Sequence, residues 1–259
     1  VFLNEAKNMG ADMIATGHYA KIAKYKDHFV LDTPKDNSKD QSYFLHALSS
    51  EQLSHAMFPL GDLTKKEVRE IARAHNLPVS DKKDSTGICF IGNQKFDEFI
   101  TQHLKAIPGD ILDENGKVIG KHKGLVCYTL GQRKGIGLGG IKGNESENNT
   151  HKPWFVALKD VVNNTLTIVQ DTNHPLLMSK TVEASHMHWV LEEAPKVGDK
   201  LMAQVRYRQQ KQACTVVVAN DEKVVVEFDN PQRAVTLGQS LVLYSGDYCL
   251  GGGFISYYK

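Results

Sequence analysis

The spacing of apolar residues changes near residue 105 of the chain. Before that point apolar residues recur at helical spacing, as after Thr64, where Val68, Ile71 and Ala72 fall on one face. After it, short runs of apolar and β-branched residues alternate with turn residues at regular intervals. This pattern predicts an α/β region followed by β-rich domains.

Helix and strand signals alternate in the first region. Residues 1–9 predict an amphipathic helix, and residues 12–19 predict a short buried strand. Thr64 and Glu67 have the spacing of a capping box and predict the start of a further helix, while residues 96–104 predict a short amphipathic one. A helix followed by a strand is typical of α/β domains, whose ligands bind beyond the carboxyl ends of the strands.

Gly17 and His18 stand at the end of the predicted strand. Gly17 would let a nucleotide approach the backbone closely, and His18 would face the same crevice. The alternative is a turn glycine beside a surface histidine. Gly-His pairs are common in loops, so the segment alone favours this second interpretation.

Lys39, Asp40 and Gln41 form the polar entrance to a predicted helix that begins near Tyr43. Asp40 could cap this helix, which would be a structural role. Alternatively, the three side chains could contact a phosphate or a base at the helix N-terminus. The pattern leaves both roles open.

The region from residue 107 to residue 170 predicts two hairpins, around Asn115-Gly116 and Asn163-Asn164, and a strand over residues 125–130. A glycine-rich run at residues 131–140 contains the adjacent cations Arg133 and Lys134. It lacks the Gly-Lys-Ser/Thr ending of a Walker loop. It could bind phosphate through its backbone or serve as a flexible connector.

From Lys180 onward the pattern is all β, with five or six short strands whose regular spacing predicts a small closed barrel. Cations lie among aromatic residues in this part: Arg206, Arg208, Lys211 and Arg233, with Tyr207 and Tyr244. Single-stranded RNA is bound by such a mixture, although a solvated barrel rim has the same composition.

The composition restricts the function classes. The chain has 259 residues and a formal net charge of +1, so any nucleic-acid surface must be local. No apolar run approaches the length of a membrane helix, and the first residues do not resemble a secretory signal. The four cysteines are widely spaced and form no CxxC pair, which favours a reducing cytoplasm over a disulfide framework or a zinc site.

Cys89 lies in the segment Asp84–Gly92, which is rich in small and hydroxyl residues and follows two lysines. Exposed loops, nearby cations and helix N-termini favour the thiolate, so Cys89 is a candidate catalytic thiol, although many loop cysteines are inert. Cys127 and Cys214 lie in predicted strands, where a cysteine usually serves as a small core residue, and we expect the same of Cys249.

Six motifs, in order over essentially the whole chain, resemble the bacterial tRNA-specific 2-thiouridylases of the PP-loop ATP-pyrophosphatase superfamily. They are ATGHY at Ala15–Tyr19, KDQSYFL at Lys39–Leu45, DSTGICFIG at Asp84–Gly92, YTLGQRKG at Tyr128–Gly135, RYRQ at Arg206–Gln209 and CLGGG at Cys249–Gly253. Each motif is weak alone, but their combination in this order is specific.

The resemblance implies an α/β fold, the C-terminal part of a PP-loop nucleotide-binding domain, followed by two β-rich domains of which the last is a small β-barrel. The α/β part with the cysteine loop would cover residues 1–105, the central β-rich domain residues 106–178, and the barrel residues 179–259.

The resemblance also implies a chemistry. ATP, with Mg²⁺, would adenylate the C2 oxygen of the wobble uridine in the tRNAs for Lys, Glu and Gln, and a persulfide on Cys89 would then deliver sulfur. Gly17 matches an ATP contact. Positions that match tRNA contacts are His18, Lys39, Asp40, Gln41, Arg206, Tyr207 and Gln239. The implied partners are tRNA and a sulfur-relay protein or cysteine desulfurase, in the cytoplasm.

One departure from the family is large, because neither the SGGxDS motif of the PP-loop nor the second catalytic cysteine is present. In the family both precede the point that matches the first residue here. We therefore expect this chain to be the C-terminal part of a longer protein and to be inactive by itself. Two alternatives remain open: an adenylating ligase or amidotransferase of the same superfamily, which needs no thiol, and a non-catalytic RNA-binding module.

Overall fold

A computed structural model describes residues 2–82, 96–138, 152–191, 193–220 and 222–259. The chain forms two compact units. The first comprises Val1–Lys83, Lys180–Pro231 and Leu237–Lys259, and the second comprises Asp84–Ser179 and Gln232–Thr236. Cys89 and its segment Asp84–Gly92 lie outside the described residues.

The N-terminal part of the first unit mixes helices with a small parallel sheet. Its helices are α1 (Phe2–Asn8), α2 (Ser42–Leu45), α3 (Ser50–Ser54) and α4 (Lys65–Ala74). Strand β1 (Ile14–Ala15) pairs in parallel with β4 (Ala56–Met57), and β2 (Lys21–Tyr25) forms a hairpin with β3 (His28–Asp32). The predicted helix-to-strand step is confirmed, but β1 is shorter than the predicted strand and is not buried, since Ile14 is half-buried and Ala15 is exposed.

The capping box that predicts α4 is confirmed. The Glu67 backbone N–H donates to Thr64 Oγ1 at 3.3 Å, and the Thr64 backbone N–H donates to Glu67 Oε2 at 2.6 Å. The apolar face predicted for this helix is not buried. None of the residues of α4 is buried, and Ile71 is 47% exposed.

Six strands close into a barrel, as the regular strand spacing predicts. They are β9 (Met178–Trp189), β10 (Lys200–Gln204), β11 (Gln212–Ala219), β12 (Lys223–Arg233), β13 (Ser240–Ser245) and β14 (Tyr248–Tyr258). Their order is β13-β10-β11-β12-β9-β14, and pairing of β13 with β14 closes the ring. Closure leaves none of these six strands as a free edge, which is how small barrels avoid exposed ladder groups.

The β2–β3 hairpin extends the sheet of the barrel, since Asp32 and Leu31 of β3 pair with Tyr248 and Cys249 of β14. A single apolar cluster therefore contains residues of both parts of the first unit: Ala20, Val30, Leu31, Tyr43, Leu53, Val190, Val242, Tyr244 and Cys249. The N-terminal α/β segment and the barrel share one core.

Three consecutive glycines on β14 allow its neighbours to approach closely. A Cβ at Gly251 would lie 2.0 Å from His188 O, and one at Gly252 would lie 2.5 Å from Leu241 O and 3.0 Å from His46 Nδ1. A Cβ at Gly253 would meet the Met187 sulfur at 2.4 Å. The CLGGG motif thus has a packing reason at each glycine.

The second unit contains α5 (Phe96–His103) and a four-stranded sheet in the order β6-β5-β8-β7. Its strands are β5 (Gly109–Leu112), β6 (Val118–His122), β7 (Phe155–Asp160) and β8 (Thr165–Val169). The two hairpins predicted around Asn115-Gly116 and Asn163-Asn164 are confirmed by the β5–β6 and β7–β8 pairs.

The strand predicted over residues 125–130 is wrong. Leu125–Cys127 form a 3₁₀ turn that follows Gly124 at φ 131°. Cys127 and Tyr128 are both buried, although consecutive residues of a strand point to opposite faces. The apolar run is therefore buried by a turn and not by sheet pairing.

The glycine-rich run forms a hydrogen-bonded turn on β7 over its described part, which ends at Leu138. The Gly131 N–H donates to Val156 O at 2.8 Å, and the Val156 N–H donates to Gln132 O at 3.0 Å. The Gln132 side chain donates to Lys134 O at 2.8 Å. Arg133 and Lys134 are exposed in this turn. The hydrogen bonds of its described part do not fit the alternative of a flexible connector.

Arg233, the last residue of β12, is part of the second unit. Its Nε donates to Thr172 O at 2.8 Å, and its guanidinium lies 5.0 Å from the centroid of the Phe155 ring. No helix within the described ranges is long and apolar enough to cross a membrane.

Replacement of Gly252 by Ala is expected to lower the free energy of unfolding by about 1–3 kcal/mol, because the added methyl group would overlap Leu241 O. Gly17→Ala is the matched control, since its nearest atom would be Leu60 Cδ1 at 3.9 Å, and it should change stability by less than about 0.5 kcal/mol. Urea denaturation measures both. Equal stabilities of the two variants would contradict this packing role.

Acidification is expected to destabilise the protein through His46. Burial, with a smaller contribution from nearby His188, lowers the pKa of His46 from 6.5 to about 4. The unfolded chain therefore binds more protons between these values, so stability is full above pH 6.5 and falls by about 3 kcal/mol as the pH drops to 4. Urea midpoints across this range should decline less steeply in His46→Gln. Parallel profiles of the two proteins would exclude His46 as the cause.

Candidate nucleic-acid interface

Helix α2 brings together three segments that are far apart in the sequence. Lys39, Asp40 and Gln41 lead directly into it. Tyr207, in the turn that follows β10, packs on it, and Gln239 precedes the start of β13, to which α2 is hydrogen-bonded. Six of the seven residues that the sequence assigns to tRNA therefore lie around one short helix within the first unit.

A buried chain of hydrogen bonds joins α2 to the barrel. Ser42 Oγ lies 3.1 Å from the Tyr244 hydroxyl, which donates to Gln204 Oε1 at 2.8 Å. Because Tyr244 is the donor to Gln204, Ser42 is the donor to Tyr244. Burial raises the pKa of Tyr244, so that its hydroxyl stays protonated and available to donate.

Gln204 also shapes the turn that carries Arg206 and Tyr207. Its Nε2 donates to Gln209 O, and Gln209 Oε1 accepts from the Val205 N–H at 3.0 Å. Arg208, which lies between Val205 and Gln209 in the sequence, adopts a left-handed conformation with φ 65°, which closes the turn. The apolar pattern of residues 201–207 predicts a strand over these residues, but β10 ends at Gln204, and Arg206 and Tyr207 lie in the turn that follows.

Aromatic rings connect this turn to α2. The Tyr207 ring centroid lies 4.3 Å from that of Phe44 and 6.4 Å from that of Tyr43. The Arg208 guanidinium lies 5.5 Å from the Tyr207 ring. Cations and aromatic rings therefore occur together on this surface, as the composition of the segment suggests.

Gln239 is exposed and is held by its backbone. Its carbonyl accepts from the Ile255 N–H at 2.7 Å. The next residue, Ser240, exchanges two hydrogen bonds with Tyr43 of α2: the Tyr43 hydroxyl donates to Ser240 O at 3.0 Å and accepts from Ser240 N at 3.1 Å. These bonds fix the start of β13 against α2 and so place Gln239 beside it.

Lys211 lies between Asp40 and Tyr244. Its Nζ is 3.9 Å from Asp40 Oδ2 and 3.9 Å from the centroid of the Tyr244 ring. Burial lowers the pKa of Lys211, although the nearby carboxylate of Asp40 acts in the opposite direction. Asp40 also accepts from the Ser42 N–H at 2.8 Å, but the N-cap of α2 is Gln41, so Asp40 lies one residue before the cap position that the sequence suggests for it.

The loop after β1 reaches the same helix through Gln41. Gln41 Oε1 accepts from the Tyr19 N–H at 2.9 Å, and the Gln41 N–H donates to Tyr19 O at 2.9 Å. His18 lies 2.8 Å from Thr16 Oγ1 through its Nδ1, with its ring edge against Phe58. Gln41 thus positions the loop that contains Gly17 and His18.

Gly17 has no packing reason to be glycine. Its φ is ordinary, and a Cβ built on it would meet only Leu60 Cδ1, at 3.9 Å. It lies just beyond the carboxyl end of β1, where the ligands of α/β folds bind. Because no internal contact excludes a side chain at this position, the glycine is consistent with the close approach of a ligand, such as a nucleotide, to the backbone.

The three described cysteines are unsuited to catalysis. Cys127, Cys214 and Cys249 are buried and form no disulfide. Burial raises the pKa of Cys214 and of Cys249 to about 12, which suppresses the thiolate. Their predicted structural role is confirmed. No cluster of three or more potential metal ligands occurs in the described part of the chain.

The sequence did not reveal the residues that assemble this interface. No motif marks Gln204, Tyr244 stands out only as an aromatic residue near the cations, and Tyr43 and Phe44 appear only at the start of a predicted helix. Lys211 was recognised as a cation but not as a partner of Asp40. A buried glutamine in a strand was the one available signal, because such a side chain requires hydrogen-bond partners.

Family models match the chain in three consecutive segments. A model described as tRNA methyl transferase HUP domain matches residues 1–93, one described as tRNA methyl transferase PRC-barrel domain matches residues 97–170, and one described as aminomethyltransferase beta-barrel domain matches residues 179–255. These matches and the closed barrel confirm the predicted fold class, an α/β domain followed by two β-rich domains.

Curated relatives match over essentially the whole chain. The tRNA-specific 2-thiouridylase MnmA 2 of Aliarcobacter butzleri is 97% identical over 259 residues, which are 100% of this chain and 71% of that protein. The enzyme named MnmA in Francisella philomiragia is 51% identical over 98% of this chain and 70% of its own length, and that of Alcanivorax borkumensis is 49% identical over 98% and 68%. Two of the family models carry a methyltransferase name, but the relatives that match across all three segments are thiouridylases. The chain therefore belongs to the tRNA-specific 2-thiouridylase family.

Proposed function

We propose that this chain binds tRNA through the surface around α2 and that, together with a PP-loop and a second thiol that its sequence lacks, Cys89 delivers sulfur to C2 of the wobble uridine. The convergence of Lys39–Gln41, Arg206–Tyr207 and Gln239 on one short helix carries the proposal. This convergence supports the proposal, because one resemblance assigns all three segments to the same ligand. The tRNAs for Lys, Glu and Gln are the proposed substrates.

The chemistry of the surface suits an unpaired stretch of RNA. Arginines bind phosphates, and aromatic rings stack on bases that have left their helix. An enzyme that modifies C2 of a base must take that base out of its stack. The buried hydrogen bonds of Tyr244 and Gln204 hold the turn in place before RNA arrives, so less ordering is required on binding.

ATP is the proposed co-substrate, and Gly17 is its proposed contact in this chain. The unfilled space at Gly17, beyond the end of β1, supports this role. Bound ATP would adenylate the C2 oxygen with release of pyrophosphate, which turns that oxygen into part of a leaving group. Mg²⁺ would be coordinated mainly by the phosphates, as is usual for this ion.

Cys89 is the proposed sulfur carrier, loaded by a cysteine desulfurase or a sulfur-relay protein in the cytoplasm. The outer sulfur of its persulfide would attack C2, and AMP would leave with the former C2 oxygen. A second thiol would then attack Cys89 Sγ and release the sulfur to the uridine. The burial of Cys127, Cys214 and Cys249 supports the assignment of the first role to Cys89.

The two alternatives differ in what they require. An adenylating ligase needs no thiol, so it would keep its activity when Cys89 is replaced by Ser. A non-catalytic RNA-binding module would bind tRNA without loading sulfur. Mass spectrometry of the wobble uridine separates a sulfurtransferase from both when tRNA is incubated with ATP, a sulfur donor and this chain joined to a segment that supplies the PP-loop and the second thiol. This chain alone is expected to give no thiolation.

Arg206→Ala is expected to weaken binding of an anticodon stem-loop and to reduce the slope of log affinity against log salt by about 1, because one phosphate contact is lost. Fluorescence anisotropy at several salt concentrations measures both quantities. Lys66→Ala is the control, since the exposed Lys66 pairs only with its helix neighbour Glu70 at 3.9 Å. Salt-independent binding, or equal effects of the two substitutions, would contradict the interface.

The native chain treated with a cysteine desulfurase and cysteine is expected to gain sulfur on Cys89 and not on Cys214 or Cys249. A pKa of about 12 leaves on the order of 1 in 10,000 of these two thiols ionised at pH 8. Peptide mass spectrometry identifies the loaded cysteine, and Cys89→Ser is the negative control. Sulfur on the buried cysteines with Cys89 unmodified would exclude the proposed carrier.

A further inference from the structure

Phe44 is exposed where its neighbours are not. Helix α2 directs Ser42 and Tyr43 into the core of the first unit, and both are buried. Phe44, the next residue, is 56% exposed. A single exposed apolar ring is common on protein surfaces, so its role depends on the groups around it.

The Phe44 ring is nevertheless held in place. It contacts the Tyr207 ring at 4.3 Å between centroids with an interplanar angle of 42°, and the Tyr43 ring, edge to face, at 5.6 Å and 77°. Tyr43 is itself fixed by the two hydrogen bonds to Ser240. The ring is thus ordered in advance, which reduces the entropy lost when a partner binds.

The surroundings of the ring are cationic. Arg208 lies over Tyr207 at 5.5 Å, and Arg206 shares the turn with both. A partner helix would need a row of apolar anchors at i, i+3, i+4 and i+7 spacing. One aromatic face with adjacent arginines instead matches a single base and its phosphate.

We propose that Phe44, supported by Tyr207 and Arg208, is a stacking surface for one unpaired base of the tRNA anticodon loop. The inference rests on the proposed tRNA-binding function and adds a residue to it. Removal of the target uridine from its stack leaves neighbouring bases without a stacking partner. Phe44 replaces that partner. Its contribution is apolar, so it is independent of salt, unlike that of Arg206.

The test compares Phe44→Leu, which keeps an apolar contact with Tyr207 but removes the flat ring, with Phe44→Trp, which keeps the ring. Tyr257→Leu is the matched control, because Tyr257 is an exposed aromatic on β14 with a similar exposure of 53%. Each variant of the full chain is titrated with an anticodon stem-loop by fluorescence anisotropy at several salt concentrations.

Phe44→Leu is expected to weaken binding about 5- to 150-fold, the range for loss of one stacked base, with an unchanged salt slope. Phe44→Trp should bind within about 2-fold of the unmodified chain, and Tyr257→Leu should have no effect. Equal affinities of Phe44→Leu and the unmodified chain would overturn the proposal and would mean that another part of the protein covers the ring.

A second measurement does not depend on the stability of the variants. Stem-loops with 2-aminopurine at successive loop positions are bound to the unmodified chain, and one position should show the quenching that accompanies stacking on a ring. Absence of quenching at every position, with RNA bound, overturns the stacking surface alone. Absence of RNA binding by the unmodified chain overturns the proposed function itself.

Discussion

The hydrogen bonds of the Tyr244 hydroxyl hold the interface together. They join Ser42 of α2 to Gln204 of β10 through the core of the first unit. Buried polar groups are costly when they lack partners, and here each one is satisfied by the next. These two hydrogen bonds require α2, β10 and β13 to lie close together, so they hold the helix in position on the barrel.

The same arrangement determines the local charge. The chain as a whole has a net charge of only +1, but Lys211, Arg206 and Arg208 lie near α2. Asp40 faces Lys211 from the helix entrance and thereby compensates a cation that burial would otherwise disfavour. Arg208, in the turn after β10, is exposed and lies 5.5 Å from the Tyr207 ring. Asp40 accepts from the Ser42 N–H and faces Lys211, while Gln41 holds the loop that contains Gly17 through its hydrogen bonds with Tyr19.

Close packing of the barrel makes this geometry possible. The glycines at positions 251–253 let β9, β13 and His46 approach β14 to distances that any side chain would prevent. The β2–β3 hairpin then continues the sheet from β14, so that the N-terminal segment and the barrel share one core. The motif CLGGG is therefore best understood as the structural support of the interface and not as part of a ligand site.

The sequence alone determined the change from helical to β periodicity, the capping box of α4, the hairpin turns and the closed barrel, because these depend on local spacing and turn chemistry. It also identified the candidate residues, through ordered motifs. It failed at residues 125–130, where a turn after Gly124 buries the consecutive side chains of Cys127 and Tyr128. Only the tertiary structure decided that Lys39–Gln41, Arg206–Tyr207 and Gln239 meet around α2 and that Phe44 remains exposed there. Such meetings depend on hydrogen bonds and packing between residues as much as 200 positions apart, as between Ser42 and Tyr244, and no local pattern records them.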